Sequence, residues 1–229
     1  MDYENYSDWK GWLDERPFAE LSVVETERFR RQLACLNIRY KNINALEIGY
    51  GNGGFIRFLQ DNGSQVVGTE VQEPLLKAAK DYGVQAYRSW REVQDGPYDL
   101  IVAFDVLEHL TLDQLRDLFE HAQTLLHPDG VMLFRFPNAD SFVGMGAQNG
   151  DFTHITAIAQ SKLHQIVEPW GFTIKRFEAE LVYPRNAVLH FVRKVCRSFF
   201  MKALGIGNSY FFATNVVAVL TRTPDFNRE

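Results

Sequence analysis

The sequence predicts an α/β protein built on a doubly wound parallel sheet. Three observations carry that prediction. Short apolar runs alternate with helical segments from about residue 45 to residue 136. The runs are apolar nearly throughout, the mark of strands covered on both faces rather than one. A glycine-rich turn, Gly49-Tyr50-Gly51-Asn52-Gly53-Gly54, joins the first run to the first helix after it. Glycines there let the backbone bend sharply and let a ligand approach it closely.

The elements follow in order. Tyr3, Tyr6, Trp9 and Trp12 recur every three residues, which predicts one helical face, packed on the domain first and lining a substrate pocket as the alternative. Residues 20–38 read as an amphipathic helix through Leu21, Val24, Phe29, Leu33 and Leu36, so that 1–38 forms an N-terminal helical extension. Ala45 to Ile48 is a first strand, and a helix from Gly51 to Asp61 turns Phe55, Phe58 and Leu59 inward. Gln65 to Thr69 is a second strand. Pro74 suits a first helical turn, and its helix runs to about Tyr82. Val84 to Tyr87 and Tyr98 to Phe104 are the third and fourth strands. A helix from Leu112 to Leu126 ends before the turn Pro128-Asp129-Gly130, and Val131 to Phe136 is a fifth strand. Beyond Pro137 the rhythm breaks. Residues 138–157 read as a loop, Ser161 to Trp170 as a helix, and Phe172 to Glu180 and Phe211 to Leu220 as two more strands. No linker divides the 229 residues, so they are expected to form a single domain.

Totals narrow the function. Apolar residues at 46% and charged residues at 23% suit a folded soluble protein, and a net charge of −5 disfavours a nucleic-acid binder. Cys35 and Cys196 lie far apart, outside any metal-ligand spacing, and are expected to be reduced core thiols; no metal is expected. The first residues carry acids where a signal peptide carries bases, and no run of about 18 apolar residues occurs. A cytoplasmic location is the expectation.

Gly49, Gly51 and Gly54 satisfy the dinucleotide pattern G-x-G-x-x-G, a weak signal alone. Two carboxylates refine it. Glu70 closes the second strand, where a carboxylate can accept ribose hydroxyls. Glu47 precedes the first glycine by two residues. It would repel a pyrophosphate at the helix N-terminus but suits a ligand bearing ammonium and sulfonium groups.

The segment Glu47-x-Gly49-x-Gly51-x-Gly53 resembles the first motif of class I S-adenosylmethionine-dependent methyltransferases. Tyr98 to Leu110 resembles their fourth-strand motif, and Leu126-His127-Pro128-Asp129-Gly130-Val131 the turn before their fifth strand. The motifs fall in family order over residues 40–137. The resemblance implies a Rossmann-like sheet of seven strands with the last antiparallel, and S-adenosylmethionine as cofactor. It places Gly49, Tyr50, Gly51 and Gly53 along the methionine and ribose, Glu47 at the ammonium, and Glu70 with Val71 at the ribose. Asp105 and Val106 would sit beside the sulfonium. Where the family often carries an acid for the adenine amino group, this chain has Ser89, with Trp90 placed to cover the ring.

A hydroxyl acceptor needs its proton removed, and His154 and His109 are the candidate bases, His154 foremost because loops after the fifth strand carry acceptor chemistry. The stretch Phe136 to His154 resembles the subset of these enzymes associated with bacterial polysaccharide and glycan synthesis, which implies a saccharide or small-molecule hydroxyl. Residues 185–208 read as an inserted basic amphipathic helix. Val188, Phe191, Val192, Val195, Phe199 and Phe200 lie at helical spacing, Arg193, Lys194, Arg197 and Lys202 lie mainly opposite, and no acid occurs from Leu181 to Pro224. Such a helix packs on its own domain, on a partner or on a membrane surface. Two other functions compete: an NAD(P)-dependent oxidoreductase, against which Glu47 argues, and a non-catalytic scaffold of the same fold.

Overall fold

The structure is a computed structural model that describes residues 16–181, 195, 199–203, 205, 207, 210–224 and 226. The aromatic face at Tyr3–Trp12 and most of the basic segment lie outside the described residues. Helix α1, Val23–Cys35, starts at a capping box in which Ser22 and Glu25 satisfy each other's backbone N–H groups. Then come β1 (Asn44–Ile48), α2 (Gly54–Asp61), β2 (Gln65–Thr69), α3 (Glu73–Tyr82), β3 (Gln85–Tyr87) and β4 (Tyr98–Phe104). Helix α4 (Leu112–Leu125), β5 (Leu126–Pro137), α5 (Gly144–Asn149), α6 (Gln160–Val167), β6 (Phe172–Ala179) and β7 (Asn215–Arg222) complete the order. Short 3₁₀ turns at Trp90–Glu92 and Leu107–His109 link β3 to β4 and β4 to α4.

The strands form one seven-stranded sheet in the order β3-β2-β1-β4-β5-β7-β6. The first five strands are parallel, and β7 runs antiparallel to both β5 and β6. That is the Rossmann-like sheet the motifs implied. Strand β4 shows why its sequence reads as continuously apolar. Ile101 and Ala103 face a core shared with Leu115, Leu118 and Phe119 of α4. Leu100 and Val102 face the other core, shared with Phe55, Ile56 and Phe58 of α2 and Leu75 and Ala79 of α3. Chain order reverses across β1, whose neighbours β2 and β4 depart to opposite sides. A crevice opens at the carboxyl ends of the strands there.

Several expectations need correction. Val24 is more than half exposed, because α1 meets the domain through Leu33 and through Phe29 against Phe55 and Phe58. Cys35 is an exposed thiol rather than a core one. Strand β5 begins before Pro128-Asp129-Gly130. Those residues form a bulge, since Tyr98 pairs with Leu126 but Leu100 already pairs with Val131. Strand β7 begins at Asn215 rather than Phe211. The Asn138 amide donates to the Tyr210 and Ala213 carbonyls, at 2.8 and 3.2 Å, and holds that stretch in a turn. Among the described residues, no helix is long and apolar enough to cross a membrane.

Candidate functional site

Three positive-φ glycines shape the turn after β1, yet they serve different ends. Gly49 has φ +67°, and a Cβ there would lie 2.5 Å from Val106 Cγ2. Only glycine lets the turn pass so close to the end of β4. Its N–H donates to Thr69 at 2.8 Å, and that of Tyr50 to the same carbonyl at 3.2 Å, which ties the turn to β2. Gly53 has φ +77°, but the space its missing side chain leaves is filled by the Phe18 ring, not by the cavity. Gly53, expected along the ligand, is not among the residues that line the cavity, and its missing side chain makes room for Phe18. The Tyr50 side chain is likewise core, with its hydroxyl donating to the Leu75 carbonyl and its ring against Gly68, although the residue's position borders the cavity.

The cavity at the crevice has a volume of about 700 Å³. Its floor is Glu47, Gly49 and Gly51. Glu70 and Val71 from the end of β2, Ser89 and Trp90 after β3, and Asp105, Val106 and His109 after β4 form its sides. The fold thus gathers every expected ligand position except Gly53 and His154 around one space.

The two carboxylates are both buried, and they differ. Glu70 Oε2 accepts the Gly51 N–H at 3.0 Å, while Oε1 accepts those of Val71 and Gln72 at 2.7 and 3.0 Å. One side chain therefore organises the glycine turn and the loop after β2 together. Burial raises its pKa while those three donors pull the other way. Glu47 lies at the cavity floor with its buried Oε2 unpartnered. Burial pushes this carboxyl well above the usual carboxylate range, against the pull of Arg135 and the Ile56 N–H. A buried oxygen without a donor is costly unless a ligand supplies one. An ammonium group does so, and its charge would bring the pKa back down.

Asp105 has φ +56°, an unusual conformation for a non-glycine residue. Three hydrogen bonds to Arg135 hold it: the Asp105 N–H donates to the Arg135 carbonyl at 2.9 Å, and the guanidinium donates from two nitrogens to the two carboxylate oxygens. Arg135 also reaches Glu180 at 3.1 Å, crossing the ends of β4, β5 and β6. Ser89 Oγ accepts the Arg91 N–H at 3.3 Å and so caps the 3₁₀ turn that presents Trp90. The Trp90 indole donates to Asp117 of α4 at 2.8 Å, which fixes the ring beside the cavity.

The structure places the two histidines differently. His109 lines the cavity. His154 lies behind it, its side chain 7% exposed, with the two rings edge to face at 4.6 Å between centroids. Loop 151–156 is strapped beneath the 3₁₀ turn: Ile155 and Thr156 both donate to the Glu108 carbonyl at 2.9 Å, and the Thr156 hydroxyl donates to that of Leu110. This strapping brings ligand atoms of Glu108, His109 and His154 within 4.8 Å of one another, a set no sequence spacing suggested. Sequence reasoning also missed Arg135, Gln114 and an outer wall of Arg16, Glu20, Leu21, Arg28 and Phe29. Leu21 and Phe29 were legible as a helix face, but nothing local says which surface that face meets.

Comparison with known proteins agrees with this geometry. The family model of the methyltransferase domain matches residues 24–176. Malonyl-(acyl-carrier protein) O-methyltransferase of Salmonella typhimurium is 22% identical over 153 residues, 66% of this chain. The match spans about half of that relative, 53% of its length. A methyltransferase from Archaeoglobus fulgidus, described as dependent on S-adenosylmethionine, superposes with TM-score 0.65 at 19% identity, covering 92% of this chain and 99% of its own. One from Mesorhizobium loti superposes with TM-score 0.60 at 14% identity, covering 85% and 98%. These two likenesses are of fold. With two thirds of its length matched and the glycine turn, buried carboxylates and strand order in place, the chain belongs to the methyltransferase-domain family, whose cofactor is S-adenosylmethionine.

Proposed function

We propose that this protein transfers a methyl group from S-adenosylmethionine to a hydroxyl of a saccharide or small molecule. The observation that carries the cofactor is Glu47, a buried carboxylate with an unpartnered oxygen at the cavity floor. A pyrophosphate brings only acceptor oxygens and offers no donor to that oxygen, which disfavours the oxidoreductase. An intact cavity with both carboxylates disfavours the scaffold.

The cofactor supplies an electrophilic methyl on a sulfonium. Glu47 would hold the ammonium, Glu70 a ribose hydroxyl, and Asp105 and Val106 would flank the sulfonium. In-line transfer depends on alignment, and the Arg135 clamp on Asp105 fixes that wall. His109 would take the acceptor's proton, and His154 would support it from behind. The stretch from Phe136 to His154 supports a saccharide acceptor by its resemblance to glycan-modifying enzymes. The Salmonella relative is named for O-methylation of malonyl-(acyl-carrier protein). An ionised carboxylate acceptor brings no proton, so His109 would have no base to be.

Calorimetry with S-adenosylhomocysteine and with NADH separates the cofactors; tight NADH binding with no S-adenosylhomocysteine binding would refute the assignment. A screen of sugars, sugar nucleotides and acyl thioesters for S-adenosylhomocysteine release then identifies the acceptor. With a hydroxyl acceptor, His109→Gln should cut turnover by about 10²–10⁴-fold, the usual worth of a general base, and leave S-adenosylhomocysteine affinity intact.

A second reading concerns where the acceptor resides. The acid-free stretch from Leu181 to Pro224 is basic in a protein of net charge −5, and Val195, Phe199 and Phe200 are exposed. Phe142 and Phe152 of the acceptor loop are exposed as well. That combination supports contact with the surface of an anionic membrane and a lipid-linked acceptor.

A further inference from the structure

The network beneath His109 ends in a buried carboxylate. His109 Nδ1 lies 2.9 Å from Thr153 Oγ1 and 3.3 Å from the Thr153 carbonyl. A carbonyl only accepts. The Thr153 hydroxyl lies 2.6 Å from Asp151 Oδ1, which also accepts the Thr153 N–H at 3.0 Å. A carboxylate oxygen receiving two donors takes the hydroxyl's proton direction with it, so Oγ1 presents a lone pair to the ring. Both groups facing Nδ1 are then acceptors, and Nδ1 must donate. In the neutral ring the lone pair resides on Nε2.

We infer that Asp151 and Thr153 are positioning residues that hold His109 in its Nδ1–H form and thereby make Nε2 the basic atom. The inference rests on the reading of His109 as base. When Nε2 takes a proton from the acceptor hydroxyl, the ring becomes a cation that still donates through Nδ1. The hydroxyl of Thr153 passes that polarisation to the Asp151 carboxylate, which offsets the new charge without itself being protonated. Both relay residues are nearly inaccessible, at 6% and 2% exposure, so water does not substitute for either. The other titratable groups of the cluster are His154, whose Nε2 lies 3.6 Å from Asp151 Oδ2 and 3.9 Å from Glu108 Oε1, and Glu108 itself. His154 thus borders the carboxylate end of the relay, not the cavity.

The test is the tautomer itself. Long-range ¹H–¹⁵N correlation spectra of the full chain, labelled at its six histidines, resolve Nδ1–H from Nε2–H, and His109→Gln assigns the signal. Wild-type His109 should show Nδ1–H. Thr153→Val removes the 2.9 Å acceptor and leaves only the 3.3 Å carbonyl, so it should raise the share of the Nε2–H form that free histidine rings prefer, and Thr153→Ser should restore the wild-type share. With an acceptor in hand, Thr153→Val should lower kcat by about ten- to a hundredfold with KM little changed, part of a general base's roughly 10²–10⁴-fold. An Nε2–H ring in the wild type would overturn the inference. So would a Thr153→Val protein that folds and keeps the wild-type signal. A zinc titration that displaces the Nδ1–H signal would make Glu108, His109 and His154 a metal site and overturn it too. Full turnover by His109→Gln would instead remove the base reading while leaving the tautomer result standing.

Discussion

Replacing Glu70 by alanine should cost both stability and cofactor affinity, and the structure sets the size of each loss. The carboxylate accepts three backbone N–H groups, from Gly51, Val71 and Gln72. Each buried donor left without an acceptor costs about 1–3 kcal/mol. Val71 is exposed enough for water to replace the lost acceptor; Gly51 and Gln72 are buried. These two donors therefore carry the loss, about 2–6 kcal/mol in all. At roughly 2–4 °C per kcal/mol for a domain of this size, Tm should fall by about 4–24 °C. The proposed ribose contact would add a charged hydrogen bond of about 1.5–3 kcal/mol, so S-adenosylhomocysteine should bind roughly ten- to a hundredfold more weakly. Circular dichroism melts and titration calorimetry below the new Tm read the two losses separately. Glu70→Gln should recover little, because its amide turns an N–H toward donors that need an acceptor. An alanine variant with unchanged Tm and unchanged affinity would refute the whole argument. A lowered Tm with full affinity would leave Glu70 an organiser of the turn and remove it from the ribose.

Three further outcomes follow from the same geometry. Gly49→Ala should lose about 2–4 kcal/mol, part from its φ and part from overpacking on Val106; Val106→Ala in the same chain should return only the second part, and strict additivity in a denaturation cycle would deny the contact. Glu47 has a folded-state pKa raised above its ordinary 4.5, so the stability it contributes is full below that value and is lost as pH rises through the folded pKa. Glu47→Gln should flatten the decline of stability from about pH 4.5 upward, with Glu70 leaving a residual slope, and cofactor binding to the wild type should release protons, read by calorimetry in buffers of different ionisation heat. Finally, the wild type should bind anionic vesicles at low salt and release them as salt rises, and replacing Arg193, Lys194, Arg197 and Lys202 by Gln should abolish this while sparing cofactor affinity. Indifference to such vesicles at low salt would end the membrane reading.

What was legible in the sequence follows from the range of the interactions involved. Strands β1, β2 and β4 could be read because each is buried on both faces, and Glu47, Gly49 and Glu70 because the turn chemistry sits within a few residues of a strand end. The boundaries of β5 and β7 could not. A proline-aspartate-glycine turn signals a break whether the chain leaves the sheet or bulges within it, and only pairing with β4 decides. The start of β7 depends on the side chain of Asn138, more than seventy residues away. Gly53 shows the same limit inside a motif: its conformation is readable, but whether ligand or Phe18 fills the space is not.

The order of the two histidines shows the limit where it matters most for mechanism. Position in the loop after β5 favours His154, since such loops face the ligand. Here Ile155 and Thr156 donate to the Glu108 carbonyl and Thr156 Oγ1 to that of Leu110, and these bonds draw the loop under the 3₁₀ turn instead of over the cavity. The same bonds that bury His154 deliver Thr153 to His109 Nδ1. The loop expected to present His154 at the cavity instead places Thr153 against His109. That exchange is invisible at the level of residue types, because the two histidines differ only in which backbone carbonyls their neighbours find.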